Sequence, residues 1–149
     1  LLEKGYVLFN VRGFSRNLRK EITKKSKYYF YDTGVRNAVI ANFNSPSVRN
    51  DTGQLWENFL FVERLKLLTY TSVRANHYFW RTWDGQEVDM VEEQEGREDG
   101  FEFKWGDRTP KEPRDWGSTY PNATYSVINR DNWLEFVLRP RTVLRQYRS

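Results

Sequence analysis

Glu57, Asp89, Glu102 and Lys104 are the residues of this chain whose types and spacing could do chemistry. Glu102 and Lys104 stand two apart, and an extended strand turns residues i and i+2 to one face. In Phe101-Glu102-Phe103-Lys104-Trp105 the acid and the base would share a face while the aromatic residues take the other. Asp89 lies thirteen residues before Glu102, across one turn. Carboxylates on adjacent strands can hold a hard divalent ion, and an ammonium beside them can steady charge or handle protons. Cleavage of a phosphodiester bond is the reaction such a set serves. Each member also has a plain structural role. An isolated Glu-x-Lys is common on exposed, ion-paired strand faces. Glu57 falls in the first turns of a predicted helix, where an acid favours the helix dipole.

Several elements must position these residues. Leu1 to Phe9 reads as the end of a helix, a stop at Gly5 and an apolar strand, Tyr6-Val7-Leu8-Phe9. A polar, basic connection from Asn10 to Lys27 leads to a second aromatic strand, Tyr28-Tyr29-Phe30-Tyr31, and the two strands could pair. Asp32 or Thr33 caps a short helix over Gly34–Ala41, and Asp51 or Thr52 caps the main helix, running to about Leu68 and carrying Glu57. His77 to Trp83 is a strand, Asp84-Gly85 a two-residue turn, and Gln86 to Glu93 the return strand bearing Asp89. If residue 83 pairs with 86, Trp80 faces Asp89 and Phe79 faces Met90. After a turn near Glu95 to Gly100, the strand 101–105 completes a three-stranded meander. A short helix near Glu112 to Gly117, a strand over Ala123–Asn129 and a last strand over Trp133–Leu138 follow, with an Arg-rich end beyond Pro140.

The length of 149 residues fits one domain. Aromatics at 17% of residues, six of them Trp, supply a core despite a mean hydropathy of −0.83. The formal charge is +4 and unevenly spread. Arg12, Arg16, Arg19, Lys20, Lys24, Lys25 and Lys27 crowd one segment against a lone Glu21, while acids dominate from Asp84 to Glu102. A basic arm attracts polyanions such as DNA, and an acidic stretch accepts one when a cation sits there. The bland reading is that both runs are solvated surface. With no cysteine, disulfides, thiolate nucleophiles and Cys-bound zinc are excluded, and a single His77 makes a His-based metal site implausible. No apolar run reaches membrane-spanning length and no signal peptide is visible, so a cytoplasmic protein with no membrane partner is the expectation. The chain begins at Leu1, as expected of a piece of something longer.

The chain resembles the PD-(D/E)XK nuclease superfamily, with its restriction-endonuclease-like fold. More closely, it is similar to the uncharacterised domain at the C-terminus of many bacterial and archaeal AAA-type ATPases. The likeness is carried by Lys27-Tyr28-Tyr29-Phe30-Tyr31-Asp32-Thr33-Gly34-Val35-Arg36-Asn37, Leu55-Trp56-Glu57-Asn58, Gln86-Glu87-Val88-Asp89 and Glu102-Phe103-Lys104-Trp105, and spans about Lys27 to Leu138. It implies an α/β fold, a mixed central sheet of about four strands flanked by helices. Residues 1–26 would be the end of a winged-helix segment, 27–138 the nuclease-like domain and 139–149 an Arg-rich tail. By resemblance Asp89 and Glu102, with the Phe103 carbonyl, would ligate Mg2+ or Mn2+, Glu57 would support the metal, and Lys104 would orient the attacking water. The superfamily's Pro-Asp pair is Val88-Asp89 here. The chain has no G-x-x-x-x-G-K-[ST] loop, so no ATP site is expected in it and the ATPase portion of the parent would be a separate partner.

Three readings follow: a metal-dependent DNA nuclease domain; a catalytically silent nuclease-like module that binds DNA or a partner for an ATPase; and a protein-interaction module using exposed Trp83, Trp105 and Trp116.

Overall fold

The computed structural model describes residues 5–16 and 21–140. One six-stranded mixed sheet runs through it, in the order β2-β1-β3-β4-β5-β6. The strands are β1 (Leu8–Gly13), β2 (Ser26–Phe30), β3 (Asn76–Arg81), β4 (Glu87–Gln94), β5 (Arg97–Phe103) and β6 (Thr124–Ile128). The helices are α1 (Thr33–Val39), α2 (Thr52–Tyr70), α3 (Arg114–Thr119) and α4 (Trp133–Leu138). The expected α/β class holds.

Two aromatic cores cover the two faces. On one, Trp56, Leu60 and Phe61 of α2 and Phe136 of α4 pack on Val11, Tyr29, Phe79, Met90, Phe101 and Phe103. On the other, Trp116 and Tyr120 pack on Trp80, Val88 and Val91. Sheets covered on both faces read as apolar runs rather than clean alternation, as Val88 to Val91 does around its one acid.

The N-terminal hairpin forms as expected, with Leu8 opposite Phe30 and Arg12 opposite Ser26. It is not an appendage: β1 also runs parallel to β3 through Arg12–Tyr78 and Gly13–Phe79. The boundary expected at 26/27 falls at the entry to β2, within this one sheet. Residues 1–4, 17–20 and 141–149, and with them the expected N-terminal helix end and most of the tail, lie outside the described residues.

Several expectations need correction. Trp133–Leu138 is helix α4, not a strand. Six residues of mostly apolar sequence carry too little periodicity to separate the two, and Phe136 finds its burial as a helical residue against Phe101 and Phe103. The β3–β4 register is as expected up to Tyr78, which faces Val91, and shifts by one residue beyond an irregularity, so that Trp80 faces Val88 rather than Asp89. Thr82 and Gln86 close the hairpin, since the Thr82 N–H donates to the Gln86 carbonyl at 2.9 Å, so its loop is Trp83-Asp84-Gly85. The positive-φ pair that marks a two-residue turn lies instead at Glu95 (54°) and Gly96 (74°), which join β4 directly to β5.

The acidic run is solvated surface only in part: Asp84 and Glu95 are exposed. Asp89, Glu92, Glu98, Asp99 and Glu102 are all buried. Glu98 pairs with Arg16, Asp99 accepts from the Thr124 hydroxyl at 2.5 Å, and Glu92 takes the Arg64 guanidinium at 2.8 and 3.0 Å. Burial pushes the Glu92 carboxyl up, but His77 and Arg64 outweigh it and hold it at about 2. The proposed tryptophan face does not exist either. Trp116 is fully buried, Trp105 packs edge-on against Trp56, and Trp83 is the exposed one of the three.

Candidate active site

Alternation on β5 works as the sequence implies. Phe101 and Phe103 enter the α2 core. Glu102 leaves toward the other side and meets Lys104, whose Nζ donates to Glu102 Oε1 at 2.5 Å. Lys104 keeps about a third of its side chain in solvent. Burial alone would lower the pKa of its ammonium, but Glu102 and then Asp89 raise it, so Lys104 stays a cation.

Asp89 sits where the regular β4–β5 pairing ends, at Met90–Phe101. Its Oδ2 accepts the Phe103 N–H at 2.8 Å, in place of a strand carbonyl. Burial, then repulsion from Glu57 and Glu102, raises its carboxyl to about 7, against the opposing pull of Lys27 and the Phe103 amide. The Glu102 carboxyl is raised too, first by burial and with Glu87 adding to it, while Lys104 opposes. Asp89 therefore feels both of the other acids named from the sequence, although the three come from a helix and two strands.

Glu57 belongs to α2, beside buried Trp56. It does not stand open. Its Oε1 accepts the Lys27 ammonium at 2.9 Å and the Tyr29 hydroxyl at 2.5 Å. Lys27 Nζ also lies 3.6 Å from Asp89 Oδ1 and 5.5 Å from the centre of the Phe79 ring. Burial would lower the Lys27 pKa, yet Glu57 and Asp89 raise it on balance. Burial and Glu57 raise the Tyr29 phenol strongly, so it is a permanent donor here.

Lys27 and Tyr29 are the site residues that sequence reasoning missed. Lys27 belongs by position to the basic arm. The signal was present in the alternation of β2, which puts 27 and 29 on one face and exposed Tyr28 on the other.

The arm itself divides. Arg12, Lys24 and Lys25 are exposed, Arg16 is exposed but tied to Glu98, and Arg19 and Lys20 lie outside the described residues. Its lone acid, Glu21, is buried and accepts from the Trp80 indole at 2.7 Å and the Tyr120 hydroxyl at 2.6 Å. That carboxylate fastens the connection between β1 and β2 to the second core.

Among the described residues, no group of three or more acid or imidazole side chains is gathered as a metal-holding set. The chemistry of a smaller set does suit a hard cation. Glu102 Oε2 is buried with no hydrogen-bond partner, and the Asp89 carboxyl is raised to about 7 by burial and by neighbouring negative charge. A cation relieves both conditions, by pairing an orphaned oxygen and by favouring the ionised carboxyl. Glu57 does not fit as a free ligand, because the oxygen it presents is already taken by Lys27 and Tyr29.

A family model described as Domain of unknown function (DUF4143) matches residues 52–136, which hold α2, the meander, α3, β6 and the first part of α4. The chain belongs to the DUF4143 family. Its defining stretch therefore contains Glu57, Asp89, Glu102 and Lys104, while Lys27 and Tyr29 lie ahead of it. A second model, Domain of unknown function (DUF8612), matches residues 1–46, which include the β1–β2 hairpin and α1. Uncharacterised proteins of Mycobacterium bovis (Mb2031c) and Mycobacterium tuberculosis (Rv2008c) are each 29% identical over 105 residues. Those matches cover 69% of this chain and 23% of either relative, so the chain spans less than a quarter of their length. No solved structure matches the chain.

Proposed function

We propose that this DUF4143 chain is a nuclease-like domain of an AAA-type ATPase, hydrolysing phosphodiester bonds of DNA with Mg2+ or Mn2+. The observation that carries the reading is Glu102: a buried carboxylate with one oxygen on Lys104 and the other unpartnered, beside an Asp89 carboxyl raised to about 7. Surface ion-pair ladders have neither property. Perturbed, mutually coupled acids next to a lysine are a mark of functional sites. The small share of the mycobacterial relatives that the chain spans agrees with a domain carried by a longer parent.

Asp89, Glu102 and the Phe103 carbonyl would hold the ion, which would supply charge neutralisation at the phosphoryl oxygens. Lys104, protonated throughout, would orient the water and steady the charge growing on the phosphate. Glu57 would act through Lys27 and Tyr29 rather than on the ion. Exposed Arg12, Lys24 and Lys25, with Arg16, Arg19 and Lys20, would contact DNA phosphates.

A second reading, a silent nuclease-fold module that binds DNA or a protein, is favoured by one observation: Lys27 occupies the space between Glu57 and Asp89. Plasmid nicking separates the two. With Mn2+ the protein should nick, and Lys104→Ala should reduce nicking by about a hundredfold or more with little change in thermal melting. Salt-dependent DNA binding without nicking under either metal selects the silent module. Absence of both nicking and binding overturns both readings.

A further inference from the structure

Lys27 is a positive charge already seated at the proposed metal centre. Its Nζ touches Glu57 at 2.9 Å and stands 3.6 Å from Asp89 Oδ1, the oxygen left free when Oδ2 takes the Phe103 amide. The contact is built rather than incidental. The ammonium crosses the face of Phe79, and Tyr29, two residues on, fixes the same Glu57 oxygen through its hydroxyl. About three-quarters of the Lys27 side chain is shielded from solvent. A divalent ion that takes Asp89 Oδ1 must approach this ammonium against direct repulsion or push it aside.

We propose that Lys27 is a resident counter-ion that competes with the divalent cation for Asp89, so that the hairpin strand β2 sets the metal affinity of the site. The inference rests on the metal-centre reading above. It adds that Glu57 and Tyr29 act as positioning residues, holding the competitor in place. The site should then load only at divalent concentrations high enough to displace Lys27, and DNA phosphates, by drawing the ammonium toward themselves, would lower that threshold.

Calorimetric titration of Mn2+ into the full chain tests this. Lys27→Met should bind Mn2+ about tenfold more tightly than wild type, since a fixed cation beside the ligand is gone. Lys27→Arg, which keeps the charge, should bind as wild type does. Mn2+ should also raise the melting temperature of Lys27→Met more than that of wild type. Should Lys27→Met not fold, Lys27→Gln removes the same charge and keeps a hydrogen bond to Glu57. Equal or weaker Mn2+ binding by the neutral variants, with wild type binding measurably, overturns the role of Lys27 and leaves the metal centre standing. No Mn2+ binding by any folded variant overturns the metal centre itself, and this proposal with it.

Discussion

The Asp89 carboxylate accepts the Phe103 N–H at 2.8 Å, so an ionisable side chain does the work of a strand carbonyl at the end of the β4–β5 ladder. Its pKa is raised to about 7 by burial and by Glu57 and Glu102. An acid whose pKa is higher folded than unfolded makes the folded state bind the extra proton. Stability is then full below the ordinary carboxylate range and falls as pH rises toward about 7. Asp89→Asn accepts the same N–H without charge. Thermal melts from pH 4 to 8 should show the variant gaining on wild type as pH rises, by about 4 °C or more at pH 8. Parallel profiles would show that Asp89 is ionised throughout.

Arg64 and Glu92 have the opposite sign. Both are fully buried and doubly bonded, and the Arg64 Nη1 also donates to the Phe136 and Arg139 carbonyls at 2.8 Å. This one guanidinium joins α2, β4 and the end of α4. The Glu92 carboxyl, held at about 2, contributes stability above the ordinary carboxylate range that is lost as pH falls toward 2. Arg64→Met should cost about 3–5 kcal/mol in urea unfolding by leaving Glu92 unpaired, and Arg64→Met/Glu92→Leu should recover part of it.

Two glycines should respond in opposite directions to alanine. A Cβ at Gly100 would stand 3.0 and 3.1 Å from the buried Trp116 ring and 3.2 Å from the Thr124 carbonyl oxygen. Gly100→Ala should destabilise by about 1–3 kcal/mol. A Cβ at Gly53, in the first turn of α2, meets nothing within 4 Å. Gly53→Ala should stabilise by up to about 1 kcal/mol. Denaturant midpoints of both variants decide the matter.

The tryptophans separate core from surface. Trp83 is exposed at the β3–β4 turn, and Trp83→Ser should alter stability by no more than about 0.5 kcal/mol. Trp116→Ala should cost about 3–5 kcal/mol, because it empties the centre of the second core. A large cost for Trp83→Ser would mean that this side chain has a partner in solution.

Much of the fold was legible. Asp32 caps α1 through its bond to the Val35 N–H, as the Asp-Thr pair implies. The long apolar arc of α2, the β1–β2 hairpin, the meander and β6 follow from propensity and pattern. Local rules failed where a residue's role depended on distant neighbours. Six residues of α4 took their conformation from Phe101, Phe103 and Arg64. The β3–β4 pairing slipped because an irregularity between Tyr78 and Trp80 changed which residues oppose. The acids looked solvated because their partners, Arg64, Arg16 and Thr124, lie 25 or more residues away.

The same division runs through the candidate site. That Glu102 and Lys104 meet on one side of a strand, with Phe101 and Phe103 on the other, was written in the chain, because side-chain alternation is a property of extended covalent backbone. That the Asp89 carboxyl is raised, that Glu57 is occupied and that Lys27 sits between them was decided only by folding. Those facts depend on burial and on Coulomb forces between groups 13 or more residues apart, brought together when β2, α2, β4 and β5 pack.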